Sequence, residues 1–107
     1  TTNHGVFMKK VEGRSIWPKF SRAKDIQIEL SERYNVKLLD FDTAVIFFIA
    51  GHFKVTINKI HKTKYFRKYG LSTVKRSVHK LIDAGMLTVS ADPLDKRKKI
   101  LDLGWED

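Results

Sequence analysis

The sequence contains no cysteine and only two prolines, and no Asp or Glu occurs between positions 54 and 82. The absence of cysteine excludes disulfides, thiolate metal sites and cysteine nucleophiles. The longest apolar run, residues 44–51, is far shorter than the roughly 20 residues that a membrane-spanning helix needs. We therefore expect a cytoplasmic protein with no membrane partner.

The residues that most often carry metal or phosphate chemistry are scattered. The four histidines, His4, His52, His61 and His79, form no His-x(3–5)-His pair, which is the spacing typical of a zinc site. The six glycines occur singly, so no phosphate-cradling loop is present. We expect no metal, no cofactor and no enzymatic activity.

What the chain does have is a concentrated positive charge. Of its 21 basic residues, nine lie in the acid-free segment: Lys54, Lys59, Lys62, Lys64, Arg67, Lys68, Lys75, Arg76 and Lys80. The other 12 are balanced by the 12 acidic residues, so the net charge of 21 − 12 = +9 arises in this segment. Charge concentrated in this way predicts a surface that binds a polyanion.

A chain of 107 residues has the size of one domain, and its apolar periodicity predicts an α+β, mainly α fold. We expect about four helices and a two-stranded C-terminal wing, that is, a winged helix-turn-helix. Residues 1–20 are expected to form an N-terminal extension. Within it, the pattern of residues 5–17 is compatible with either a short loose strand or a hairpin, and Trp17-Pro18 is expected to end regular structure. Residues 21–107 would form the winged-helix domain. The expected helices are 21–34 with Ser21 as N-cap, 41–52 capped by Asp40 or Asp42, one from Thr56 to Gly70, and one from Ser72 to Gly85; the expected strands are 86–91 and 99–103.

The last predicted helix has a single apolar stripe, made of Val74, Val78, Leu81 and Ile82. Burial of this stripe would turn a set of hydroxyls and cations toward solvent: Thr73, Lys75, Arg76, Ser77, His79 and Lys80. These side chains are the types that bond phosphates and base edges in the major groove. An ordinary solvated helix face is the alternative, but the basic ribbon that follows favours a helix-turn-helix.

Aromatic residues alternate with cations in the preceding segment, where Tyr65, Phe66 and Tyr69 lie among Lys62, Lys64, Arg67 and Lys68. Two interpretations remain open. The rings could form a stacking platform for a single strand, or one or two of them could pack into the core while the others line the turn. The second interpretation is favoured.

Residues 71–103 resemble the winged-helix half of the MarR family of transcription regulators. The family pattern of a Ser cap, T-V-x-R-x-V-x-x-L and G-L/M-hydrophobic corresponds to Ser72, residues 73–81 and Gly85-Met86-Leu87. Its wing pattern, D-x-x-D-x-R followed by an apolar strand, corresponds to residues 92–97 and 100–103. The resemblance covers about a third of the chain strongly, and residues 40–70 only in outline.

The resemblance implies that Arg97 enters the minor groove and that Asp95 orients it through a salt bridge in the wing. It also implies that the recognition helix contributes Thr73, Lys75, Arg76 and Ser77. Together with the charge pattern it defines the candidate DNA contacts: Ser72, Thr73, Lys75, Arg76, Ser77, His79, Lys80, Lys96, Arg97, Lys98, Lys59, Lys62 and Lys64.

The sequence departs from the family pattern in two places. The stretch from Thr56 to Ser72 is several residues longer than usual, with residues 62–66 as the apparent excess. The sequence also contains no counterpart of the long C-terminal helix through which family members dimerise. If this chain forms a homodimer, the helix at 21–34 or the N-terminal segment is expected to provide the interface.

The leading functional hypothesis is a sequence-specific, nucleoid-associated protein that binds double-stranded DNA and regulates transcription, most simply as a repressor. Two alternatives remain open at this point. One is a winged helix that serves plasmid or phage replication or segregation. The other is a winged helix whose basic face binds an acidic protein partner.

Overall fold

The computed structural model describes the backbone of residues 2–105 and the side chains of residue 14 and residues 16–105. The elements are α1 (Thr2–Tyr34), α2 (Asp40–Gly51), α3 (Ile57–Lys62), α4 (Leu71–Asp83), β1 (Leu87–Ala91) and β2 (Lys99–Leu103). The chain separates into two compact units, one up to Asn35 and one from Val36 onward. Four helices and a two-stranded antiparallel hairpin confirm the predicted mainly α winged-helix class.

The first unit corrects the prediction for the N-terminal region. The loose strand or hairpin expected at residues 5–17 is wrong, because α1 runs without interruption across it. The division expected between residues 20 and 21 lies inside α1, and Ser21 is an interior residue that caps nothing. Pro18 lacks an N–H and disfavours helix by about 3 kcal/mol. Extension of an existing helix is cheap compared with nucleation, so good helix formers after Pro18 can sustain it. Asn35, at φ 52°, ends α1 as expected.

The start of α2 is stabilised by Asp42. Leu39 occupies the N-cap position and has no side-chain acceptor, but its N–H donates to Asp42 Oδ2 at 3.0 Å. The N-cap residue is therefore neither Asp40 nor Asp42 as expected, although Asp42 stabilises this end from the third position of the helix. The apolar residues of α2 do not all face the core: Val45 and Ile46 are buried, whereas Phe47 is exposed.

The helix expected between Thr56 and Gly70 is shorter in the structure. Thr56 does cap α3, since its hydroxyl oxygen accepts from the Lys59 N–H at 3.1 Å. However, α3 ends at Lys62, and residues 63–69 form a series of turns. Gly70 does not end α3 but precedes α4, where its carbonyl accepts from the N–H groups of the next turn. Ser72 therefore lies inside α4 and is not its cap, a second correction.

The apolar stripe of α4 forms the core as predicted, with Val74, Val78 and Leu81 fully buried. Gly85, at φ 87°, reverses the chain into β1, which begins one residue later than expected. β1 and β2 pair antiparallel, and β2 has the predicted bounds. Val55 forms an isolated bridge to Leu101, with the Leu101 N–H donating to the Val55 carbonyl at 2.7 Å. This contact attaches the start of the α3 segment to the wing.

Candidate nucleic-acid interface

A groove of about 790 Å³ lies between α3, the start of α4 and the wing. Its charged lining residues are Lys54, Lys59, Lys62, Lys75, Asp92, Arg97, Lys98 and Lys99. The bridge between Val55 and Leu101 brings the two ends of this set together, although they are far apart in sequence. A concave surface with so large an excess of one charge concentrates field lines and attracts an anion.

Five of the predicted contact residues line this groove together: Lys59, Lys62, Lys75, Arg97 and Lys98. Another five are exposed or half-exposed but are not part of its lining: Ser72, Thr73, Arg76, Lys64 and Lys96. His79 is exposed and lines a separate apolar cavity of about 380 Å³ between α4 and the wing. Lys75 of α4 and Arg97 and Lys98 of the wing thus line one concavity.

Two of the predicted contacts on α4, Ser77 and Lys80, do not project freely into solvent as the position of the apolar stripe had led us to expect. Ser77 is only 5% exposed, and its hydroxyl donates to Asp42 Oδ1 at 2.7 Å. Lys80 is half-buried, and its Nζ donates to Asp42 Oδ2 at 2.7 Å. Position 77 lies three residues after the buried Val74 and four before the buried Leu81, so it shares the face of α4 that packs against α2. The Ser77 hydroxyl is therefore turned away from solvent, and the charge of Lys80 is already paired.

The salt bridge that the resemblance implied in the wing is present. Asp95 Oδ1 accepts from Arg97 Nε at 3.3 Å and from the Arg97 backbone N–H at 3.1 Å. The loop itself is closed by a bond from the Asp92 N–H to the Lys98 carbonyl at 3.0 Å. Arg97 remains 92% exposed, so its guanidinium is oriented by Asp95 without being covered.

Sequence reasoning missed Lys54 and Lys99 as members of the groove. Lys54 adopts φ 52°, a left-handed conformation that is uncommon for a residue other than glycine. The Lys59 Nζ donates to the neighbouring Phe53 carbonyl at 2.7 Å and so reinforces this loop. Lys54 belongs to the acid-free segment, but nothing in the local pattern shows that the chain turns back here toward the wing.

Among the side chains that the structure describes, residue 14 and residues 16–105, no group of three or more His, Cys, Asp or Glu is placed to hold a metal ion. No helix of the described residues is both long and apolar enough to cross a membrane.

Comparison with solved structures gives matches to MarR-type proteins. A crystal structure of MarR aligns with TM-score 0.55 and 19% identity, covering 84% of this chain and 63% of that one. A probable transcriptional regulator from Pseudomonas aeruginosa aligns with TM-score 0.55 and 19% identity, covering 78% and 62%. Staphylococcus aureus MarR in complex with salicylate and kanamycin aligns with TM-score 0.51 and 21% identity, covering 91% and 61%.

The fold is a MarR-like winged helix. The chain spans about three fifths of the length of these MarR-like structures. No family model matches the sequence, and no curated protein matches it.

Proposed function

We propose that this chain binds duplex DNA in a sequence-specific way and regulates transcription, most simply by occluding a promoter. The observation that carries the proposal is the basic groove between α3, α4 and the wing. DNA presents a continuous row of phosphates, and a groove lined by cations on both sides suits such a polyanion. The MarR-like fold is consistent with this use.

In the proposed complex, the exposed face of α4 enters the major groove. Arg76 is exposed, and a guanidinium can bond the O6 and N7 of guanine in a bidentate way. Thr73 is half-exposed near the start of α4 and can bond a base edge or a phosphate. Arg97 enters the adjacent minor groove, while Lys59 and Lys62 bind phosphates. With about six phosphate contacts, log K falls with log salt at a slope of about −5.

We also propose that two copies of the chain form a dimer through α1. Ile16, Trp17, Phe20 and Ile28 are all at least half exposed on α1. At about 100° per residue they share one stripe of the helix. The rings of Trp17 and Phe20 lie 5.8 Å apart between centroids, so they present a continuous apolar surface. Phe20→Glu is expected to shift sedimentation equilibrium toward the monomer, and an unchanged mass would reject α1 as the interface.

Selection of bound sequences from a random duplex pool at about 150 mM salt tests the proposed function. An enriched inverted repeat with half-sites about one helical turn apart supports a dimeric regulator. A single asymmetric or tandem motif supports sequence-specific binding by separate copies, as on a replication origin. Absence of any enriched sequence rejects the proposal and turns attention to an acidic protein partner.

A matched pair of variants tests whether the groove is the binding surface. Lys75→Gln removes one charge from the groove, whereas Lys37→Gln removes one from an exposed position outside its lining. We expect Lys75→Gln to reduce the magnitude of the salt slope by about 1 and Lys37→Gln to leave it unchanged. Equal effects of the two variants would mean that net charge, not the groove, drives binding.

A further inference from the structure

The turn segment 63–69, between α3 and α4, is held firmly against the rest of its unit. Phe66 is 2% exposed and packs edge to face on Phe41 and Phe48, with ring centroids 5.5 and 5.8 Å apart. At the other end of the segment, His61 Nε2 lies 3.0 Å from the Tyr69 carbonyl oxygen. Since a carbonyl can only accept, Nε2 carries the hydrogen. The exposed side chains of this segment therefore project from a fixed backbone.

Two tyrosines of the segment hold a cation between them. The rings of Tyr65 and Tyr69 have centroids 6.0 Å apart, and the Lys68 ammonium lies 5.3 Å from the first and 5.4 Å from the second. Attraction to two aromatic faces restricts a side chain that would otherwise sample many rotamers. The ring face that each tyrosine turns toward the ammonium is therefore occupied and not open to a stacked base. This arrangement argues against the single-strand platform that the sequence left open.

The hydroxyl of Tyr65 is itself engaged within this cluster, because it is hydrogen-bonded to the side chain of Tyr69. Partial burial raises the pKa of Tyr65 above the ordinary tyrosine value, and Tyr69 and the Asp40 carboxylate raise it further. The phenol therefore remains protonated at neutral pH.

The position of the segment connects it to the basic groove. Lys62, which precedes the segment, and Leu71, which follows it after Gly70, both line that groove. The segment thus begins and ends beside residues that line the groove, and its exposed cations Lys64, Arg67 and Lys68 add positive charge to this part of the surface. A duplex that fills the groove and continues past it would bring its backbone toward these cations.

We propose that Lys68, held by Tyr65 and Tyr69, binds a backbone phosphate of duplex DNA that flanks the base pairs read by α4. This inference rests on the proposed function and extends it, because it assigns the inserted turn to DNA outside the core half-site. Single cations projecting from a fixed turn suit a phosphate that other contacts already hold in place. Tyr65 and Tyr69 act as positioning residues for the ammonium.

The test compares two duplexes that contain the selected site, one with flanking base pairs and one trimmed to the core. The whole chain is expected to bind the flanked duplex about three- to tenfold more tightly than the trimmed one. Lys68→Gln should abolish this preference, and it should reduce the magnitude of the salt slope by about 1 on the flanked duplex alone. Lys37→Gln, the matched control, should retain the preference.

Tyr65→Leu separates positioning from charge, since it removes a ring and no cation. It is expected to weaken binding to the flanked duplex with little change in the salt slope, whereas Tyr65→Phe should keep most of the preference. Equal loss on both duplexes for Lys68→Gln, or no loss on either, would overturn the inference while the proposed function stands. If the wild-type chain bound neither duplex, both would be wrong. Unfolding in urea confirms that each variant remains folded.

Discussion

The Ser77 hydroxyl donates a 2.7 Å hydrogen bond to Asp42 Oδ1, which joins the middle of α4 to the first turn of α2. The other oxygen of Asp42 accepts from Lys80 Nζ at 2.7 Å and from the Leu39 N–H at 3.0 Å. Asp42 is 3% exposed, so a buried carboxylate is fully hydrogen-bonded and neutralised by one cation. These bonds determine how α4 is rotated about its axis, and hence which side chains it presents to the groove.

Removal of either partner should destabilise the fold. Ser77→Ala is expected to lower the free energy of unfolding by about 1–2 kcal/mol, because a buried carboxylate oxygen loses its donor. Asp42→Ala should cost about 3 kcal/mol or more, since three donors lose their acceptor and Lys80 loses its counter-charge. Urea unfolding measures both, with Thr73→Ala as a half-exposed control that should change stability by less than about 0.5 kcal/mol. Unchanged stability for Ser77→Ala with weakened DNA binding would instead restore Ser77 as a contact.

The wing pair should affect binding without affecting stability. The Asp95–Arg97 salt bridge is exposed on the arginine side, and such pairs contribute about 0–1 kcal/mol to stability. Arg97→Ala should nevertheless weaken binding to the selected duplex by about 1–3 kcal/mol if Arg97 reads the groove. Asp95→Asn should weaken it less, because the guanidinium remains but is less well oriented. Titration of a labelled duplex measures both; full affinity in Arg97→Ala would remove that residue from the mechanism.

Gly104 lies where no side chain fits. Its N–H donates to the Met86 carbonyl at 2.7 Å, and a Cβ added there would collide with the Gly85 carbonyl oxygen. Gly104→Ala is expected to lower the unfolding free energy by about 1–3 kcal/mol, because backbone must move to relieve the contact. Gly51→Ala is the control, since no atom lies within 4 Å of its added Cβ; it should be neutral or slightly stabilising at the end of α2. Similar losses for the two variants would contradict the role assigned to close packing.

A substitution at Lys54 is expected to change the stability of the fold and the affinity for duplex DNA in different directions. A left-handed φ is strained for lysine and relaxed for glycine, so Lys54→Gly should leave the unfolding free energy unchanged or raise it by up to about 1 kcal/mol. The same substitution removes a cation from the groove, so duplex affinity should fall. Urea unfolding and duplex titration on one preparation measure the two effects. A marked loss of stability would show that the lysine side chain, not its backbone, matters for the fold.

The raised pKa of Tyr65 predicts how stability depends on alkaline pH. Burial favours the neutral phenol in the folded state, so its contribution is fully present below the pKa of the unfolded chain, about 10. That contribution is lost as the pH rises through the higher pKa of the folded state. Tyr65→Phe should therefore lose less stability than the wild type on moving to strongly alkaline pH. Unfolding free energies measured across this range check the difference, and parallel pH profiles would contradict it.

The predictions that held depend on contacts between residues close in sequence. The stripe of Val74 and Val78, the Thr56 cap and the bounds of β2 follow from spacing, capping chemistry and turn residues. The pairing of Asp95 with Arg97 spans two residues and came from the resemblance. Two of the wrong predictions each relied on one residue type. Pro18 was taken to end regular structure, but α1 continues through it. Gly70 was taken to end the third helix, but it precedes α4.

Charge concentration, helix faces and the basic wing were readable from residue order, because each is a property of a short segment and its side chains. Only the tertiary structure places residues 54 and 97 in the lining of one groove, because their proximity depends on the bridge between Val55 and Leu101. It was also needed to place Ser77 and Lys80 on Asp42, because which polar side chains are buried depends on how α2 packs against α4. The amphipathic pattern of a helix identifies its apolar face, but the helix that packs against it decides which polar residues at the border of that face become buried.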